Sequence, residues 1–337
     1  MKGTKKVYTT IIVIIVAAIV ITSIFVYSQP PAVPGRESIV IAIEAPAVLS
    51  APYLVADELG YFDEQNLDVT FVTYGMAADT ADAVMSGLAD FGHTANFALL
   101  FRLGKGDLVL IGSWWRPTLT FGEFFVKDEI ETAADLRGKR IANIPATWWD
   151  YHLDRYLETN GLTRDDVEIM DFLAPAEELA AMARGDIDAS WVWMAGLTVA
   201  RELEGWHSIS LWPEYLVLNH FLHTSSKVLT ERRDVVVRYL KALNEASDFC
   251  ADAKNWPEVA KVIEKRFKIN YADAYPLIKD QIWRVEMPKE DVETLQSVYE
   301  WGREHGYVTD EYDVEEKFDI GPLKEAIPAE RITWEPT

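Results

Sequence analysis

Ala83-Val84-Met85-Ser86-Gly87-Leu88-Ala89-Asp90 and Ala181-Met182-Ala183-Arg184-Gly185-Asp186-Ile187-Asp188 share one spelling, Ala-x-x-x-Gly-x-x-Asp, at positions 98 apart. In each, a run of small and apolar residues with helical character stops at a glycine, the residue best suited to the left-handed turn that ends a helix. A short strand then starts after the aspartate. The likeness extends upstream, where Asn66-Leu67-Asp68-Val69 precedes the first copy and Asn160, Leu162 and Asp166-Val167 precede the second. A spacing near one hundred residues is too long for a solenoid, so the chain reads as two paired α/β lobes with a cleft for a small ligand between them.

Working outward, strands are expected at Ser38–Glu44, Leu67–Thr73, Asp90–His93 and Leu108–Gly112, with helices at Pro52–Leu59, Asp79–Ser86 and Ala95–Leu103 between them. The pattern restarts with strands at Lys139–Asn143, Val167–Asp171 and Ala189–Val192 and helices at Trp149–Thr159, Ala176–Ala183 and Leu197–Leu203. Strands alternating with helices at these lengths call for mostly parallel sheets with right-handed crossovers. Thr120–Val126 and Leu216–Thr224 read as extended segments crossing between lobes. The chain beyond Thr230 reads as helical, over Glu231–Ala251, Glu258–Phe267, Ala272–Ile282 and Lys289–Glu304. The resulting division is lobe one at 38–120 and 225–337 and lobe two at 121–224.

The net charge of −22 excludes a nucleic-acid binder, which needs a basic face. A single cysteine, Cys250, permits no internal disulfide, and its helical setting reads as a half-buried structural thiol. Lys2, Lys5 and Lys6 lead into an uncharged run from Val7 to Tyr27, close to the roughly 20 residues that span a bilayer. Residues 1–28 are therefore expected to be a membrane anchor or uncleaved signal with its lysines inside, and 29–37 a stiff Pro-rich linker. The globular part would then lie on the extracytoplasmic face of the membrane, or be secreted or periplasmic if the leader is cut after Ser28.

The run from Pro52 to Gly92, PYLVADELGYFDEQNLDVTFVTYGMAADTADAVMSGLADFG, resembles the substrate-binding proteins of ABC importers in the nitrate, sulfonate and taurine group. Their thiamine-pyrimidine relatives share the frame. Asp135-Leu136-Arg137-Gly138-Lys139-Arg140-Ile141-Ala142 is similar to the family's opening of lobe two, and the likeness covers about Ile39–Leu229. It implies a bilobal type II periplasmic-binding-protein fold of two doubly wound lobes joined by two crossing strands, with a helical C-terminal part on lobe one. It also implies an ABC permease as partner, a small-molecule ligand and a monomer. Two departures fall at the cleft: Trp193-Met194-Ala195 where relatives read Trp-x-Pro, and Pro145-Ala146-Thr147-Trp148-Trp149 where they carry Gly-Ser or Gly-Thr.

In such a fold the loops after the strands face the cleft. Trp114, Trp115, Trp148, Trp149, Trp191 and Trp193 crowd three of these loops, which predicts an aromatic pocket where one ring of each pair packs and its neighbour meets ligand. Aromatic walls suit a planar ring or a cation, and Glu44, Glu123 and Asp150 nearby favour an amine. Thr94 and Thr147 read as N-caps whose helices would aim free N–H groups at a carboxylate, sulfonate or nitrate. Arg116 reads either as a further anion partner or as a solvated side chain beside Pro117. His93 and Asn96, at the end of a lobe-one strand, are expected to hydrogen-bond ligand, with a satisfied structural histidine as the other reading of His93. His220 and His223, three apart in a strand, point to opposite faces and cannot share a metal. No metal, cofactor or catalytic residue is expected, since serine-hydrolase, nucleotide-loop and Cys/His motifs are missing. The competing expectation is a thiamine-pyrimidine-synthase-like or other cleft enzyme using Asp150, His93 or Glu123 as acid and base.

Overall fold

The computed structural model describes residues 35–336 apart from 46, 47, 119–121, 194, 212–217 and 280. The expected anchor at 1–28 and most of the linker lie outside these. Among the described residues no helix is long and apolar enough to cross a membrane.

Eleven strands run along the described chain: β1 (Glu37–Glu44), β2 (Leu67–Tyr74), β3 (Phe91–Ala95), β4 (Val109–Pro117), β5 (Gly122–Lys127), β6 (Arg140–Asn143), β7 (Glu168–Asp171), β8 (Ala189–Trp193), β9 (Trp206–Leu211), β10 (His220–Thr224) and β11 (Gln281–Glu286). They form two sheets, in the orders β11-β4-β10-β3-β1-β2 and β7-β6-β8-β5-β9. Without its edge strand β11, the first sheet repeats the order of the second. In each, three parallel strands are followed by one antiparallel strand that has crossed over from the other half, β10 in the first and β5 in the second.

The duplicated motif makes the same local structure twice. Gly87 and Gly185 sit at φ of 73° and 74°, a region an L side chain enters only with strain. The N–H of Leu88 bonds to Ala83 O at 2.9 Å, and that of Asp186 bonds to Ala181 O at 3.0 Å, satisfying a carbonyl that the helix end leaves open. Asp90 Oδ2 then accepts the N–H of Val40 at 2.8 Å, and Asp188 Oδ2 that of Arg140 at 3.0 Å. Each aspartate thus ties the start of the third parallel strand to the first, in mid-strand at Val40 and at the strand's opening residue at Arg140.

Two expectations need correcting. β10 lies between β3 and β4, so the return to the first sheet precedes His220 rather than following Thr224, the earlier boundary of lobe two. Nor is the C-terminal part wholly helical: Gln281–Glu286 forms an edge strand whose residues alternate buried and exposed, the period of two that a half-covered strand requires. Around it the helices Arg233–Ala251, Trp256–Phe267 and Lys289–Glu304 complete the first half. One apolar cluster runs through residues of both sheets, from Ile41 and Phe91 to Phe124 and Trp191. A smaller one, around Phe125, Met182 and Val192, lies under the helix Pro175–Arg184.

Candidate functional site

The carboxyl edge of the second sheet carries an aromatic cluster. β6 ends at Asn143, the chain turns through Ala146 at φ 56°, and the helix Trp148–Thr159 begins. Thr147 caps it as expected, its Oγ1 accepting the N–H of Trp149 at 3.2 Å and donating to Ile144 O at 2.5 Å. Trp148 stacks on Trp149 with centroids 3.8 Å apart, and both meet the edge of Trp193 at 4.8 and 4.7 Å. Trp149 is buried and donates its indole N–H to Trp191 O at 3.2 Å, and Trp191 packs against Phe124 and Tyr156. Trp148 and Trp193 stay half-buried. Beside them a cavity of about 260 Å³ is lined by Pro175, Glu178, Leu179, Trp191, Val192, Trp193 and Gly196. Burial pushes the Glu178 carboxyl up, and it accepts a hydrogen bond from Ser190 Oγ.

At the carboxyl edge of the first sheet three titratable side chains from adjacent strands come together. Glu44 ends β1, His93 lies in β3 and His220 opens β10, and one ligand atom from each falls within 4.8 Å of the others. His93 Nδ1 and His220 Nδ1 are 2.9 Å apart, and Ser50 Oγ, which donates to Glu44 O at 3.0 Å, lies 3.4 Å from His93 Nε2. All three are buried, and Glu44 Oε2 has no hydrogen-bond partner. Burial pushes the Glu44 carboxyl up to about 8 and holds His220 down to about 3. It lowers His93 as well, helped by the neighbouring His220 and His223.

Trp114 and Trp115 flank this trio, Trp114 with its ring 4.8 Å from His93 and Trp115 with its ring 4.6 Å from His220. Both are buried, contrary to the expectation that one of each pair stays open. β4 extends five residues past Gly112 and lies between β10 and β11, so these tryptophans belong to a covered strand and not to a loop. Trp115 Nε1 donates to Gln281 Oε1 at 2.8 Å, a partner supplied by the strand that was read as helix.

Other expected residues have different roles. Thr94 is no cap: it sits inside β3 on the face opposite His93, bonded to Thr80 Oγ1 at 3.0 Å and His223 Nε2 at 2.9 Å. Asn96 opens a helix of four residues, and its Oδ1 accepts the N–H of Phe97 at 2.8 Å. Arg116 is engaged by Glu286 and, at 3.4 Å, by Asp291. Glu123 pairs with Arg201, while Asp150 takes Arg164, the Tyr307 hydroxyl at 2.7 Å and the Ala146 N–H at 2.9 Å. Cys250 is buried, and burial raises its thiol well above the ordinary range. Spacing did separate His220 from His223, which do face opposite sides of the sheet. It offered no signal for His93, His220 and Glu44, whose proximity arises only when three strands pair.

The family model described as NMT1/THI5 like matches residues 48–255. A candidate binding protein of Brucella abortus (strain 2308) is 26% identical over 202 residues, 58% of this chain and 61% of its own length, so the match spans less than two thirds of that relative. The periplasmic aliphatic sulphonate binding protein of Escherichia coli superposes over 83% of this chain and 97% of its own, with a TM-score of 0.71 and 18% identity. A desulfurization enzyme superposes over 86% and 99%, with a TM-score of 0.62 and 16% identity. At these identities the likeness is one of fold, and the two sheets are those of the α/β periplasmic-binding-protein architecture.

Proposed function

The chain belongs to the NMT1/THI5-like family, and we propose that it is the extracytoplasmic solute-binding component of an ABC importer, capturing a small organic molecule at the carboxyl edges of its two sheets and delivering it to a permease. The observation that carries this reading is the aromatic wall of Trp148, Trp149 and Trp193 beside the apolar cavity at Glu178. Half-buried rings such as Trp148 and Trp193 at a strand-end site suit a planar or amine-bearing solute, with a sulfonate or carboxylate as its polar end. Asp150 already occupies the first turn of the Trp148–Thr159 helix, where the helix dipole would otherwise attract an anion. That argues against this helix end as the seat of any anionic group and leaves the rings as the element that binds the solute. The uncharged leader from Val7 to Tyr27 supports the extracytoplasmic location.

An enzyme is the weaker reading. The acid-base candidates Asp150 and Glu123 are held by Arg164 and Arg201, and Cys250 is buried.

The test is titration of the purified protein with aromatic sulfonates, aromatic carboxylates and aryl amines, followed by intrinsic fluorescence and by mass spectrometry of the recovered compound. A saturable change with the compound unaltered is expected, weakened at least about tenfold by Trp148→Ala, the loss of roughly 1.4 kcal/mol of stacking. Chemical conversion of the compound, or an affinity indifferent to both Trp148→Ala and Trp193→Ala, would sink the reading.

A further inference from the structure

We propose that Glu44, His93 and His220 form a site for one zinc-type divalent ion, with three protein ligands and a coordination position left over. Two imidazoles and one carboxylate are a donor set that zinc accepts, and three protein ligands plus an open position is a common zinc arrangement. The ligands come from three neighbouring strands in the order β10-β3-β1, so hydrogen-bonded backbone fixes their spacing.

The local hydrogen bonds prepare His93 for the role. Ser50 spends its single hydroxyl hydrogen on Glu44 O, so toward His93 Nε2 it acts as acceptor. The His93 tautomer that fits this arrangement carries its proton at Nε2 and leaves the Nδ1 lone pair facing His220. A hydrogen bond on the far nitrogen is what orients metal-bound histidines elsewhere. Two imidazole nitrogens bound to a tetrahedral zinc at about 2.0–2.1 Å stand about 3.3 Å apart. The observed 2.9 Å therefore needs a small opening, and the proton that His220 Nδ1 gives to this hydrogen bond must move to its Nε2 or to solvent before that nitrogen takes the ion.

The unpartnered Glu44 Oε2 is the independent sign. A buried carboxyl oxygen without a partner forgoes the hydrogen bond it would make in water, and a bound cation would replace that bond while drawing off the carboxyl proton. The proposal does not depend on solute transport, because the three ligands lie within one half of the molecule.

The experiment is titration of the chelator-treated protein with Co²⁺, then displacement by Zn²⁺, with X-ray absorption on the zinc form. One equivalent of Co²⁺ is expected to give the visible bands of a four-coordinate ion. The zinc edge should fit two imidazoles and oxygen at about 2.0–2.1 Å. Glu44→Gln and His220→Asn should each weaken binding by more than the 10- to 100-fold that loss of a ligand's hydrogen-bond partner costs, roughly. His305→Asn should leave it unchanged. No saturable spectrum from the wild-type protein overturns the proposal even if both variants fail to fold. So does a spectrum that survives both substitutions, or a zinc shell without two imidazoles.

Discussion

The indole N–H of Trp301 donates to Asp154 Oδ2 at 2.6 Å, joining the last long helix of the first half to the helix Trp148–Thr159 of the second. His305 Nε2 lies 3.2 Å from the same oxygen, the Tyr307 hydroxyl reaches Asp150, and Tyr151 meets Ser297 at 3.2 Å. Asp154 is buried and also held by Arg164 Nε at 2.5 Å. These contacts clasp the two halves together.

Removing the indole donor should loosen the clasp without unfolding either half. Trp301→Phe is expected to cost about 1–3 kcal/mol, the penalty for a buried charged acceptor losing one donor. Hydrogen exchange should speed up in 148–159 and stay unchanged in β1 and β2. Uniform acceleration throughout would show that Trp301 serves the core and not the clasp.

Trp148 and Trp149 should separate in stability. Trp149 is 5% exposed and bonded to Trp191 O, so Trp149→Ala is expected to cost about 3–5 kcal/mol. Trp148 is half-buried, and its truncation should cost less than about half of that. Urea unfolding of the two variants decides it; equal losses would mean that Trp148 is core and not wall.

Asp188 should repay attention as scaffold. Partial burial pushes its carboxyl up, but hydrogen bonds from Arg140 and Lys127 outweigh this and hold it well below the usual range. A depressed carboxylate stabilises the fold above its unfolded pKa of about 3.9 and loses that contribution as pH falls through the lower folded value. Asp188→Asn is therefore expected to cost about 3 kcal/mol at pH 7. The gap from wild type should narrow below about pH 4, as chemical denaturation at both pH values would reveal.

His152 and His223 predict acid sensitivity at milder pH. Burial lowers both to about 3, so neither is charged in the fold, whereas each takes a proton at about 6.5 once unfolded. The neutral state stabilises the fold fully above pH 6.5, and that contribution drains away as pH falls toward 3. Together the two should subtract roughly 4 kcal/mol between pH 7 and pH 5. Replacing both by glutamine should reduce that slope in denaturation midpoints, leaving the share of the similarly buried His93 and His220; an unchanged slope would assign the loss to other groups.

What could be read along the chain was what short-range physics encodes. A glycine at a left-handed helix end and an aspartate that bonds back to the first strand leave the same local mark in both halves, and that mark located β3 and β8. The Thr147 cap was equally local. β11 was missed because its alternation, QIWRVE, sits among helices and covers only six residues. Trp114 and Trp115 were read as a loop because their burial depends on β10 and β11 pairing on either side of β4. The trio of Glu44, His93 and His220 had no sequence signature, since His93 and His220 are 127 positions apart and only sheet formation joins them.

The crossings carry one more consequence. Glu123 faces Leu211 across β5 and β9, and Trp115 faces His220 across β4 and β10. Paired antiparallel residues sit about 5 Å apart, so the stretch 122–211 enters and leaves the first half through almost the same point. Genetically it is a cassette in a host gene. It could be excised with a short join between β4 and β10, or exchanged for the equivalent piece of a relative, leaving the host sheet with all six of its strands.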